Sequence, residues 1–262
     1  MILLNAFAFI GRMTLGFFAQ VGSMTHFSGR ALVSIITPRY YPGQLWQQFV
    51  EMFFFSLPVI GLTGLFTGMV LALQGEAALS RLSAESAIPQ IVAISILREL
   101  GPVVAGLMLA GRVGSSIAAE LSTMRVNEQV DALTTMSIDP WHYLIAPRVL
   151  AALIALPVLV VVANVIGIGG GYLIAVFQLD FDGTRFLTTI LGFIQPQDWA
   201  LSLTKALIFG AIVGLFGCYM GFNARGGAQG VGLATTNAVV ASSIALLLAD
   251  LVITLAFFRL VG

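Results

Sequence analysis

Met52–Gly75, MFFFSLPVIGLTGLFTGMVLALQG, is the stretch that decides the fold class, because its 24 residues carry no charge. An α-helix rises 1.5 Å per residue and the hydrocarbon core of a bilayer is about 30 Å thick, so roughly 20 apolar residues cross it. This segment is long enough to span with some tilt. The whole chain agrees with it: of 262 residues, 58% are hydrophobic and 9% charged, against roughly a quarter charged in a soluble domain. That balance excludes a water-soluble globule. The length allows five or six spans with short loops and leaves no room for a large extramembrane domain.

Charge-free intervals place the remaining spans, because a charge at a helix centre is costly in lipid. Four follow the first: residues 86–111, 149–179, 206–224 and 236–258, so that with 52–75 five spans are expected and the termini lie on opposite sides. The second is interrupted by Arg98 and Glu99, and the fifth carries Asp250. The third contains Pro157 and the cluster Gly167, Gly169, Gly170, Gly171, which suits a kinked or tilted helix. Residues 1–37 mix apolar positions with Arg12, His26 and Arg30 and read as a helix lying in the interface. No basic residue precedes the apolar start, so a cleaved signal peptide is not expected. Pro38, Tyr40, Tyr41, Pro42 and Gly43 then break the chain.

Lysine and arginine in the short loops set orientation. Alternate loops put Arg12, Arg30, Arg39, Arg112, Arg125, Arg148 and Arg225 on one side, against Arg81, Arg185, Lys205 and Arg259 on the other. The richer side predicts a cytoplasmic N-terminus, with Glu76, Glu85, Asp180, Asp182 and Asp198 outside. Small residues recur at helical spacing: Gly64 with Gly68, Gly167 with Gly171, and Gly210, Gly214, Gly217, Gly221. They let helix backbones approach closely, within one subunit or across a dimer.

Two segments carry the chemistry. In the second span, Leu97-Arg-Glu-Leu-Gly-Pro102 puts two charges where each costs about 2.5–3.5 kcal/mol, while each Leu, Ile or Val returns only about 0.3–0.6. Such a helix turns its charges toward partners or a wet cavity, which makes the segment a functional candidate. The plainer alternative is a structural ion pair, with Asp250 and Lys205 as partners. The second segment is the loop 112–148, where Leu121, Met124, Val126, Val130 and Leu133 recur at three and four residue steps. The spacing predicts one amphipathic helix over 120–133 with an acidic polar face, better suited to docking a protein than to lying on a membrane. Asp139-Pro140 reads as an N-cap and first helical position.

Several chemistries are set aside. There is no phosphate-binding loop of the G-x-x-x-x-G-K-[ST] type, and the sole lysine is Lys205, so a nucleotide-driven step needs another chain. His26 and His142 are isolated and Cys218 is the single cysteine, which gives no metal-ligand spacing and no disulfide framework. The net charge of zero excludes nucleic acid as a partner.

Arg98-Glu-Leu-Gly-Pro-Val103, Ala110-Gly-Arg-Val-Gly-Ser115, Ala119-Glu-Leu121, Met124-Arg125, Glu128-Gln-Val-Asp-Ala-Leu133 and Asp139-Pro140 form an ordered set. Together they resemble the MlaE/YrbE family, permease subunits of the MCE-associated ABC lipid transporters. The resemblance runs from the N-terminal segment to the last span. It implies an all-α integral membrane protein, with an interfacial segment over 1–45 and a transmembrane permease domain over 46–262. It implies a homodimer on two cytoplasmic ATPase subunits, which hold the ATP and magnesium, with a STAS-domain accessory protein and a periplasmic hexamer of MCE-domain subunits. The cargo implied is phospholipid, moved between inner and outer membranes to maintain outer-membrane lipid asymmetry, and the location is the bacterial inner membrane. Arg98, Glu99, Lys205 and Asp250 would line the lipid cavity, Arg98 and Lys205 facing the phosphate and Glu99 steadying Arg98. Glu120, Met124, Arg125, Glu128, Gln129, Asp131 and Leu133 would belong to the helix that couples to the ATPase. The rival from another class is a stand-alone ion-coupled transporter or channel that uses the same charges as a relay.

Overall fold

The computed structural model describes residues 2–37, 41–80 and 85–261. The expected break at Pro38 and Tyr40, the loop residues Arg39 and Arg81, and the side chains of Arg12 and Glu85 lie outside what it describes. The described residues form helices and no strand. In chain order these are α1 (Ile2–Ile36), α2 (Pro42–Leu79), α3 (Ile88–Val126), α4 (Gln129–Thr135), α5 (Trp141–Phe177), α6 (Gly183–Phe193), α7 (Pro196–Phe222) and α8 (Gly227–Val261). Five of them, α2, α3, α5, α7 and α8, are long and apolar enough to cross a membrane.

Each spanning helix is longer than its expected interval. Helix α2 has 38 residues, roughly 57 Å at 1.5 Å per residue, so its ends project beyond the hydrocarbon core. Helix α3 runs on through residues 112–126, which the hydropathy pattern assigned to a loop. Hydropathy marks where lipid begins and ends, whereas a helix stops only where its backbone bonding fails. Pro157 lies inside α5, which stays helical through it. Helix α6 was not expected: Asp182 caps it by accepting from Thr184 N at 2.8 Å and Arg185 N at 3.2 Å, and Phe186 and Ile190 bury its inner face.

The glycine rows seat these helices on one another. A Cβ on Gly68 would lie 1.8 Å from the carbonyl oxygen of Gly167, and one on Gly170 2.3 Å from that of Leu65, so α2 and α5 touch backbone to backbone. Gly210 and Gly214 face Ala152 and Val149 of α5, while Gly217 and Gly221 face Gly114 and Ala118 of α3. The α7 glycines thus serve two neighbours in succession, and all three rows are spent on packing within the subunit. Helices α5 and α7 are the most buried spans, and α2 and α8 keep broad apolar faces exposed.

Helix α3 is not uniform. Residues Ile96–Leu100 and Ala110–Gly114 are π-helical turns, as are Trp141–Ile145 at the start of α5. Gly101 N donates to Ile96 O and Ala146 N to Trp141 O, each five residues back and each directly before a proline. A proline has no N–H and its ring clashes with the carbonyl four residues earlier, and one extra residue in the turn relieves that clash. Gly101-Pro102 therefore widens the helix where Arg98 and Glu99 sit.

Candidate translocation site and cytoplasmic docking element

Helix α7 begins at Pro196, ten residues before the expected span, and this start moves Asp198 from an outer loop into the protein. Gln195 and Asp198 form a reciprocal cap, with Gln195 N donating to Asp198 Oδ2 at 2.8 Å. From there Asp198, Ser202 and Lys205 follow at four and three residue steps on one face of α7, and all three are buried. Arg98 meets this face from α3: its Nε donates to Asp198 Oδ1 at 2.6 Å, and its guanidinium lies 5.6 Å from the Phe257 ring of α8. Asp198, not Glu99, steadies Arg98.

Lys205 is fully buried, and its Nζ donates to Glu99 Oε2 at 2.6 Å. The same nitrogen lies 2.7 Å from Asp250 Oδ1, an ion pair whose angle does not make a hydrogen bond. Thr254 Oγ1 donates to Glu99 Oε1 at 3.3 Å. The four residues singled out in the sequence, Arg98, Glu99, Lys205 and Asp250, thus meet in one cluster built from α3, α7 and α8. Asp198 is the fifth member, missed because it was counted with an outer loop. The signal that reveals it is its helical spacing to Lys205, once Gln195-Pro196 is read as a helix start.

A second polar pair lies beside the cluster. Asn164 of α5 is buried and donates through Nδ2 to Ser202 Oγ at 3.0 Å, while its Oδ1 has no hydrogen-bond partner among the described residues. A Cβ on Gly101 would sit 1.8 Å from that Oδ1, so the glycine before Pro102 makes room for Asn164. No charge marks Asn164 in sequence, and it stands within an apolar run.

At the other end of α3 the expected single helix over 120–133 is broken. Glu128 adopts φ 57°, a left-handed conformation that ends α3 and starts α4 at Gln129. Arg125 Nη1 bridges the break to Asp131 at 2.6 Å and its guanidinium lies 5.8 Å from the Phe222 ring. Met124 and Leu133 turn toward the core, whereas Glu128, Gln129 and Asp131 are exposed. Glu120 faces inward to Arg148 at 2.9 Å, and buried Arg148 also donates to Leu144 O. Asp139 accepts from Trp141 N at 3.1 Å, as its capping position predicts, and from the His142 ring. Helix α1 rests on this end through Phe27, buried among Trp141, Tyr219 and Phe222.

Residues 45–256 match the family described as Permease MlaE. The chain belongs to the MlaE permease family. It is 50% identical to a probable ABC transporter permease protein of Rickettsia felis, over 98% of this chain and 99% of the relative. The intermembrane phospholipid transport system permease protein MlaE of Haemophilus influenzae is 35% identical over 98% of both chains. The chloroplastic protein TRIGALACTOSYLDIACYLGLYCEROL 1 of Arabidopsis thaliana is 37% identical over 79% of this chain and 59% of its own. Family and fold agree on a multi-pass ABC transporter permease, a membrane subunit with no catalytic role of its own.

Proposed function

We propose that this permease is the membrane subunit of an ATP-driven transporter that moves phospholipid between the inner and outer membranes of a bacterium and so maintains outer-membrane lipid asymmetry. It would act as a homodimer on two cytoplasmic ATPase subunits that bind ATP and magnesium, with a STAS-domain protein and a periplasmic MCE-domain hexamer, its N-terminus in the cytoplasm. One observation carries the reading: charges from three spans gather on the face shared by α3, α7 and α8, where Glu99 keeps 40% of its side chain exposed. An ionised group facing acyl chains costs several kcal/mol, so this face calls for a wet cavity or a second subunit. The long exposed apolar faces of α2 and α8 suit lipid.

The coupling follows from one helix. Arg98 and the break at Asn127 and Glu128 bound the same α3, so residues 98–126 form a rod of roughly 42 Å at 1.5 Å per residue. An ATPase that grips the exposed Glu128, Gln129 and Asp131 would push on its end, and the rod would tilt the Arg98 and Glu99 turn against α7 and α8. Charge reversal at Glu128 and Asp131 to Lys tests this, because both side chains are exposed and the one ion pair lost, Asp131 with Arg125, is a surface pair worth about 1 kcal/mol or less. Co-expressed with its native neighbours and purified in mild detergent, the natural chain should carry ATPase and phospholipid, and the doubly reversed chain should lose the ATPase. A chain that transports alone, with no ATPase bound, overturns the reading and favours ion coupling through the same charges.

A further inference from the structure

The charge cluster is unbalanced. Three carboxylates, Glu99, Asp198 and Asp250, face two cations, Arg98 and Lys205, which leaves one formal negative charge. The cations are the occupied members. Lys205 is wholly buried between two carboxylates, and Arg98 spends Nε and Nη2 on Asp198 Oδ1. The under-satisfied member is a carboxylate. Asp250 Oδ1 is held by Lys205 Nζ at 2.7 Å as an ion pair. Glu99 accepts from Lys205 on one oxygen and at 3.3 Å from Thr254 on the other, and its side chain is 40% exposed, the most open of the five. An ionised carboxylate offers about four acceptor positions, so Glu99 has capacity left on its open side. What this face lacks is a donor that carries positive charge.

We infer that Glu99, with Asp250 behind it, is a specificity-determining residue that recognises the primary ammonium of an aminophospholipid headgroup, of which ethanolamine is the simplest. The inference rests on the lipid-transport reading above and leaves phosphate contact in this cluster to Arg98 alone, since Lys205 is wholly buried. A primary ammonium brings three N–H donors and the missing charge. A quaternary choline brings charge without donors, and a glycerol headgroup brings donors without charge. Arg98 stands one residue away with 27% of its side chain exposed, and its Nη1 makes no hydrogen bond among the described residues. That edge suits the phosphate of the same zwitterion, joined to its ammonium through a two-carbon link, so the headgroup would lie along the Arg98 and Glu99 turn with each end against its opposite charge.

The test uses the complete transporter, purified with its native partners and placed in bilayers of equal parts phosphatidylethanolamine, phosphatidylcholine and phosphatidylglycerol. Lipid retained by the complex is identified by mass spectrometry. The natural chain should retain phosphatidylethanolamine about tenfold over each of the others, the ratio that one charge-assisted hydrogen bond supports. Glu99→Gln keeps the shape, removes the charge, and should bring the retained mixture to that of the bilayer. The comparison of ethanolamine with choline needs no variant, so it holds if Glu99→Gln folds poorly. Retention of phosphatidylglycerol or phosphatidylcholine as readily as phosphatidylethanolamine by the natural chain overturns the inference and leaves lipid transport standing. So does an unchanged preference in a folded Glu99→Gln. A complex that retains no phospholipid of any headgroup overturns both.

Discussion

Gly68→Ala adds one methyl group where α2 crosses α5, and the structure fixes what that methyl meets. Its Cβ would lie 1.8 Å from the carbonyl oxygen of Gly167, against an ordinary contact of about 3.4 Å. The obstacle is backbone, which cannot rotate aside, so the two helices must part by more than about 1 Å along the seam that Gly64, Gly167 and Gly170 share. Overpacking of this kind costs about 3 kcal/mol at the upper end of its usual range. The alanine returns about 1 kcal/mol through its better helix propensity. A net loss of about 2 kcal/mol is expected. Gly169→Ala, one position along α5 from the seam, is the matched control, because a Cβ there has no neighbour within 4 Å. It should be neutral or slightly stabilising. Reversible unfolding of both variants in detergent micelles, read by far-ultraviolet circular dichroism, gives the difference directly. A Gly68→Ala chain as stable as Gly169→Ala would refute the backbone contact and return the glycine row to some other use, such as a subunit interface.

Lys205→Met leaves Glu99 and Asp250 facing each other with no cation between them, and removing one partner of a buried pair costs about 3–5 kcal/mol; thermal unfolding should show the loss, and adding Asp250→Asn should recover part of it. Gly101→Ala drives a Cβ into Asn164 Oδ1 and to 2.8 Å from Ile96 O, so it should destabilise strongly in the natural background, and Asn164→Ala, which relieves only the first clash, should recover part of the loss. A double-mutant cycle should give a coupling of about 1–3 kcal/mol, and strict additivity would show that the two residues do not touch.

How much the sequence reveals differs between α3 and α7. In α3 the pair Arg98 and Glu99 is conspicuous, because ionised side chains inside an apolar run have no other ready explanation. In α7 the same reasoning places the helix start at residue 206 and leaves Asp198 outside, since a charge-counting rule treats Asp198 and Lys205 as span limits. Capping chemistry around Gln195 and Pro196 sets the true start and makes both charges interior. Likewise the apolar period over 120–133 places Leu121, Met124, Val130 and Leu133 correctly on the core side, but it also counts Val126, which is 38% exposed, and it is blind to the left-handed turn at Glu128. A glutamate carries no sequence mark for that conformation, which asparagine or glycine would.

The sequence by itself determined that the chain lives in a membrane, that five helices cross it, and that Arg98, Glu99 and Asp250 stand inside spans, because lipid exacts a cost for each charge that the composition makes visible. Only the tertiary structure decided who pairs with whom: Arg98 with Asp198 rather than Glu99, Lys205 with Glu99 and Asp250 at once, and Asn164 with Ser202. It also decided that the glycine rows join α2 to α5 and α7 to α5 and α3 within one subunit. Pairing depends on the rotation and depth of each helix against its neighbours. Those are set by glycine contacts, caps and proline-widened turns acting together across the fold, and no single stretch of sequence contains them.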